Sequence, residues 1–319
     1  MDFNYKNFFE LKKMKLDELE LYYKELRKFE YITGKENEYI ELRKKINSII
    51  MLLLKMDRII AKRSVNIIGD KSIKTSKPKI YASTHVGRYD IETATEVAKE
   101  NTFLLMGDPG ETYRDLDGLI LKMKGVIFVD TKDKEDRKIA KEKCIKVLNK
   151  GGNILIFPEG AWNITENQLV MKLFDGAVDM ARQTGAEIIP IGIEKYDNSY
   201  FVNIGTNISI DKDNPLTNKE LSSDLRDVLA TLKWEIMEKF PATARDEISY
   251  DYSKKFLDDI MSETEGGYTV EEIIRTSYKD KNIVLPEEAF AFLNDLNIND
   301  NNSFLFNRNF VKQKKFNNI

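Results

Sequence analysis

The chain has a single histidine, His85, set in the run Tyr-Ala-Ser-Thr-His-Val-Gly-Arg-Tyr-Asp from Tyr81 to Asp90. An apolar, strand-like stretch gives way there to a helical pattern. Histidine is the side chain whose unperturbed titration lets it both accept and release a proton near neutral pH, so general-base chemistry that uses imidazole must run through this residue. Asp90, five positions on, is of the right type to orient an imidazole. The same two residues also have a plain reading. His85 can be a polar loop residue, and Asp90 can cap the helix that starts at Ile91, a role worth about 1 kcal/mol.

A second group of chemical interest is Phe157-Pro158-Glu159-Gly160, which follows the apolar run Asn153 to Phe157. In a parallel sheet the ligand crevice lies outside the carboxyl ends of the strands, so His85 and Glu159 are expected to project into one crevice. Proline and glycine around a lone carboxylate equally describe a tight turn with a solvated glutamate.

Together these residues resemble the glycerolipid acyltransferase family of the 1-acylglycerol-3-phosphate acyltransferase type. Its His-x-x-x-x-Asp motif is met by His85 and Asp90, and its Phe-Pro-Glu-Gly motif by Phe157 to Gly160. Between them Gly125-Val-Ile-Phe128 matches a Gly-x-x-Phe block, and beyond them Ile188-Ile-Pro-Ile191 matches an apolar strand with a proline. Four blocks in the family's order form a specific signal, and the likeness extends loosely from Ser64 to about Phe240. Two positions depart from it. Where the family usually has arginines that hold the acceptor's phosphate, this chain has Thr131 and Trp162. Losing both removes two bidentate anion clamps. Arg88, Lys132 and Arg137 are candidate replacements, although basic residues near any site are expected in a chain with 50 Lys and Arg. Trp162 could instead pack against the acceptor, or against the core.

The resemblance implies transfer of a fatty acyl group from a thioester, acyl-CoA or an acyl carrier protein, to a hydroxyl of a lysophospholipid-like acceptor such as 1-acylglycerol-3-phosphate. An alcohol attacks a thioester poorly unless a base takes its proton, which contributes about 10²- to 10⁴-fold. His85 would be that base, Asp90 its orienting carboxylate, and Glu159 and Gly160 part of the acceptor site. Backbone amides near Gly87 or Gly160 would serve the oxyanion. The alternative is a non-catalytic lipid-binding or regulatory relative of the same fold.

Other chemistries fit less well. There is no Gly-x-Ser-x-Gly elbow and no glycine-rich phosphate loop, and one histidine with one cysteine cannot build a His/Cys zinc site. No metal and no cofactor beyond the acyl co-substrate is expected. Cys144 shares a helical face with Ala140, Val147 and Leu148 and reads as core. Formal charge is −3, from 50 basic and 53 acidic residues, which argues against a basic-patch nucleic-acid binder. One cysteine fits a reducing compartment, and the N-terminus lacks the apolar stretch of a signal peptide.

The elements that must position these residues are legible in outline. From Ser64, short apolar runs alternate with helical patterns: Val65 to Ile68, Ile80 to Ser83, Phe103 to Met106, Val126 to Val129, Ile154 to Phe157 and Ile188 to Ile193. Tyr200 to Ile204 and Ile208 to Ile210 follow, and Thr217 to Phe240 reads as a closing helix. This pattern predicts an α/β domain over residues 64–240, with a central, mostly parallel or mixed sheet flanked by helices. A helical segment, 1–63, precedes it and a helical extension, 241–319, follows. In the extension Thr269 and Glu272 suggest a capping box, Pro286 opens a further helix, and Asn294 to Asn309 reads as loosely ordered. Gly107 to Gly110 reads as a loop, and Gly151 and Gly152 as a helix end.

The N-terminal segment ends in an apolar run, Ile46 to Leu54, too short for the roughly 20 residues that span a bilayer. It is rimmed by Arg43, Lys44, Lys45, Lys55, Arg58, Lys62 and Arg63. Such a basic amphipathic helix can lie on an anionic membrane surface, or can pack on the catalytic domain with a solvated rim. The first reading gives a cytoplasmic protein held peripherally at the inner face of the membrane.

Overall fold

A computed structural model of the chain describes residues 3–35, 38–107, 116–244, 246–264 and 269–279, with isolated positions 288, 291, 297, 299 and 300. Most of the helix expected at Pro286, most of the stretch from Asn294 to Asn309 and most of the loop from Gly107 to Gly110 lie outside the described residues. Residues Met1–Tyr278 form one compact unit and Lys279–Ile319 a second.

The apolar runs become strands: β1 Ser64–Asp70, β2 Lys79–Ser83, β3 Phe103–Gly107, β4 Val126–Val129, β5 Ile154–Ile156, β6 Glu187–Tyr196 and β7 Ser199–Ile204. They form one sheet in the order β1-β7-β6-β2-β5-β3-β4. Strands β2 to β6 run parallel, whereas β7 turns back antiparallel on β6 and carries β1 with it in parallel. The sheet is therefore mixed, as expected. Ile80, Ile154, Leu155 and Ile188 are wholly buried because helices cover both faces. Strand β5 stops one residue earlier than the apolar run suggests, because Phe157 leads into Pro158, which has no N–H for a ladder. Ile208 makes a single bridge to Ile188 instead of a strand.

One face packs on α6 (Lys134–Asn149), α7 (Gly176–Thr184) and α8 (Asn218–Met237), with Cys144, Met180 and Leu229 at its centre. The other packs on α4 (Asp90–Ala98) through Ala94 and Val97. Helix α8 starts at a capping box in which Thr217 and Glu220 satisfy each other's backbone amides. The same device opens α10 (Val270–Arg275) at Thr269 and Glu272, as the sequence suggests. Cys144 is fully buried, and burial pushes its thiol up to about 12, so it belongs to the core.

The N-terminal helices are tied to this domain by charge as well as by packing. Arg27 of α2 (Leu16–Thr33) makes a buried two-pronged contact with Asp136 of α6, Nε to Oδ1 at 3.0 Å and Nη2 to Oδ2 at 2.8 Å. Helix α3 (Ile40–Ile60) turns Ile50 and Leu54 inward and leaves Leu52, Met56, Ile59 and Ile60 exposed. Among the described residues no helix is long and apolar enough to cross a membrane.

Candidate active site

The site lies at the carboxyl ends of the neighbouring strands β2 and β5, where residues 84–90 and 157–163 leave the sheet side by side. The His85 ring nitrogen Nδ1 is 2.7 Å from Asp90 Oδ2. That one oxygen also accepts the amides of Val86 at 2.8 Å and Gly87 at 3.1 Å. Asp90 is only 1% exposed, so its carboxylate has exchanged water for these three donors. It is the first residue of α4, and the amides it accepts belong to the loop before the helix. Its bonds are thus those of an orienting group for His85, not those of a helix cap.

The turn that allows this is strained. Gly87 has φ +134°, a conformation that L side chains rarely adopt. Tyr89, the residue before α4, takes the left-handed conformation at φ 68°, which costs a non-glycine residue about 1–2 kcal/mol. The Tyr200 hydroxyl donates to the carbonyl of Arg88, and the Arg88 guanidinium lies 4.5 Å from the Tyr89 ring centroid.

Glu159 sits at the centre of the second loop and is fully buried. Its Oε1 accepts the His85 amide at 2.9 Å and its Oε2 the Met171 amide at 2.7 Å. Burial raises its proton affinity, and these two amide bonds oppose that rise. Sequence reasoning expected this carboxylate to face the acceptor. In the structure both its oxygens are engaged, and it braces three loops against one another. Gly160 has φ +74°, and a Cβ there would meet Phe174 Cε2 at 2.5 Å and the Thr276 carbonyl at 2.8 Å, so glycine is required.

Ring contacts complete the surroundings of His85. Phe157 lies 4.4 Å away, tilted by 33°, and Trp162 meets the imidazole edge-on at 6.3 Å. The Asn163 amide donates to the His85 carbonyl at 2.8 Å. The structure therefore brings together His85, Asp90, Glu159, Gly160 and Trp162, with Arg88 in the same loop. Lys132 stands exposed at the carboxyl end of β4, on the same edge of the sheet but two strands away from β5. Arg137 is engaged, donating to the carbonyl of Thr131. The amides expected to serve an oxyanion are also engaged, Gly87 by Asp90 and Gly160 by the carbonyl of Phe157 at 3.0 Å.

Sequence reasoning missed several residues here. Phe157 enters the sequence reading only as part of a motif, Met171 and Asn163 carry no motif, and Arg63, which the sequence places in the basic rim of the N-terminal helix, is buried beneath Tyr89.

The profile of a family described as Acyltransferase matches residues 64–194, a span that begins at β1 and ends within β6 and holds every residue of this geometry up to Met171. Over these residues the chain is similar to the acyltransferase family. The chain is 36% identical over 86 residues to a 1-acyl-sn-glycerol-3-phosphate acyltransferase of Borreliella burgdorferi, covering 27% of this chain and 34% of that protein. It is 27% identical over 128 residues to the chloroplastic 1-acyl-sn-glycerol-3-phosphate acyltransferase LPAT1 of Arabidopsis thaliana, covering 40% of this chain and 35% of that one. The match thus spans about a third of the length of these relatives. The crystal structure of the 1-acyl-sn-glycerophosphate acyltransferase PlsC from Thermotoga maritima superposes with a TM-score of 0.51 at 16% identity, over 70% of this chain and 91% of that one. This likeness is one of fold.

The brace gives a first test. Glu159→Ala removes two charge-assisted bonds worth about 1.5–3 kcal/mol each and leaves two buried amides unpaired, so unfolding in urea should show a loss of about 3 kcal/mol or more. Glu159→Gln, which keeps one acceptor oxygen, should lose less. Hydrogen exchange at the amides of His85 and Met171 should quicken in both variants. An alanine variant as stable as the wild type would show that the brace is not needed.

Proposed function

We propose that the chain is an O-acyltransferase that moves a fatty acyl group from a thioester, acyl-CoA or an acyl carrier protein, to a hydroxyl of a lysophospholipid-like acceptor such as 1-acylglycerol-3-phosphate. The observation that supports this best is the 2.7 Å contact between His85 Nδ1 and Asp90 Oδ2 inside an acyltransferase domain. With Nδ1–H donating to the carboxylate, Nε2 carries the lone pair. Nε2 takes the proton of the acceptor hydroxyl as its oxygen attacks the thioester carbon. Asp90 stabilises the imidazolium that forms, and collapse of the tetrahedral intermediate breaks the carbon–sulfur bond, returning the proton to the leaving thiolate. Glu159 holds His85 in place through its backbone. The intact dyad favours the enzyme over a non-catalytic lipid-binding relative.

The acceptor's anionic group must be met without the arginines that Thr131 and Trp162 replace. Arg88, in the histidine loop, and exposed Lys132 are the proposed cations. Trp162, edge-on to His85, offers an apolar wall for the acceptor's glycerol.

The acceptor's place in a bilayer assigns a role to α3. Its outer face shows Leu52, Met56, Ile59 and Ile60 at 58%, 52%, 64% and 78% exposure, more contiguous apolar surface than a solvated helix needs. Part of the basic rim is structural: Arg58 pairs with Glu96 at 3.3 Å, Lys44 with Glu41 at 2.9 Å, Arg43 donates to the carbonyls of Lys122 and Met123, and Arg63 is buried. Lys45, Lys55 and Lys62 remain exposed beside the apolar face. We place the chain peripherally on an anionic membrane at the cytoplasmic face, with α3 as the docking element.

Two outcomes test the proposal. Wild-type protein supplied with labelled acyl-CoA or acyl carrier protein should acylate lysophosphatidate, and His85→Ala should lose about 10²- to 10⁴-fold in turnover while remaining folded, because the chain has no second imidazole. Near-native transfer by that variant would end the mechanism, and acylation by neither protein with any acceptor would favour the non-catalytic relative. Reversing Lys45, Lys55 and Lys62 to Glu should release the protein from anionic vesicles in sedimentation, since each cation near such a surface contributes about 1 kcal/mol. Equal sedimentation of both proteins would return α3 to a purely packed role.

A further inference from the structure

The sheet's one reversal of direction has a chemical consequence. Because β1 runs opposite to β2 and β5, its first residue lies at the edge where those strands end, so the chain arriving from α3 reaches the catalytic loops at Arg63. Arg63 is 7% exposed, and its guanidinium lies 4.0 Å from the ring centroid of Tyr89. Its Nη2 is held by Asp57 of α3 at 2.5 Å, whereas Nε and Nη1 are buried and make no hydrogen bond among the described residues. A buried cation with unpaired donors is expensive unless something else stabilises it, and the face of an aromatic ring does so. The ring it covers belongs to the residue held in the left-handed conformation directly before Asp90.

We propose that Arg63 is a positioning residue for the His85–Asp90 pair. Anchored to α3 through Asp57, it clamps the Tyr89 ring and so maintains the backbone turn that delivers Asp90 Oδ2 to Nδ1 of the imidazole. Arg63 touches neither reacting atom and acts through Tyr89. Its other charged neighbours are Glu92 and Glu96 of α4, both of which feel its field. A role limited to balancing those carboxylates would need the charge of Arg63 but not the ring of Tyr89, and this separates the two explanations. The inference rests on the reading of His85 as the base, yet part of its test does not.

The only histidine in the chain makes its ¹⁵N imidazole spectrum a single-residue reporter needing no assignment. In wild type it should show one tautomer with the proton on Nδ1, and in Asp90→Asn a mixture. Arg63→Ala and Tyr89→Leu should both move the spectrum toward that mixture, and Tyr89→Phe, which keeps the ring, should retain the wild-type form. In acyl transfer, Arg63→Ala should lower kcat about tenfold with acceptor KM nearly unchanged, and add less than about twofold when Asp90 is already Asn, because both changes then act on one interaction. A wild-type imidazole spectrum in Tyr89→Leu, or the full loss from Arg63→Ala in the Asp90→Asn background, would overturn the proposal. Should Arg63→Ala not fold, the two Tyr89 variants decide it. If His85→Ala retains transfer, the functional reading fails by itself and the tautomer spectrum still judges Arg63.

Discussion

The arrangement turns on one oxygen atom. Asp90 Oδ2 takes the imidazole of His85 and the amides of Val86 and Gly87, and it belongs to the only carboxylate in residues 84–90. A carboxylate this deeply buried persists only because its donors replace water, and those donors converge only if the backbone turns sharply between Gly87 and Tyr89. The positive φ of both residues, the Tyr200 bond to the Arg88 carbonyl and the Arg63 stack on Tyr89 all serve that turn. Glu159 does the equivalent for the other side, fixing the His85 amide while Asp90 fixes its ring.

Both loops are carried by strands that cannot shift. Strands β2 and β5 are adjacent, parallel and buried on both faces, so their carboxyl ends are in register and the residues after Ser83 and Ile156 emerge together. The reversal at β7 and β1 brings a third element, the end of α3, to the same edge. Apolar side chains exposed at that end, Ile59 and Ile60, stand four and three residues from Arg63. The element proposed to meet the membrane is thus covalently continuous with the residue proposed to steady the dyad.

How much of this was legible in the sequence follows from the range of each interaction. His85 and Asp90 are five residues apart, and a motif of that span lies within one turn of chain, so its geometry is local. The strands were legible because buried parallel strands are continuous apolar runs, with errors of a residue or two where Pro158 or a lone bridge at Ile208 intervenes. The bond of Glu159 to His85, the burial of Arg63 under Tyr89 and the use of Arg137 on its own loop depend on which segments the fold places together, and no periodicity encodes that. For the same reason Glu159 reads in sequence as a group facing the acceptor, whereas the structure engages both its oxygens with backbone amides. Charge in the N-terminal segment misleads similarly: a run of lysines and arginines does not show which of them are already paired.

The central claim is that Asp90 sets the proton position on His85 so that the imidazole can act as a base in acyl transfer. Its most direct measurement is the turnover of Asp90→Asn, which keeps the shape of the side chain but cannot hold Nδ1–H as an acceptor anion. The account predicts a fall in kcat of about 10²-fold or more, up to the loss predicted for His85→Ala, from thioester to lysophosphatidate, with the acceptor's KM little changed and the fold intact, as expected for loss of an interaction that matters most in the transition state. Turnover within a few fold of wild type in a folded Asp90→Asn protein would contradict it.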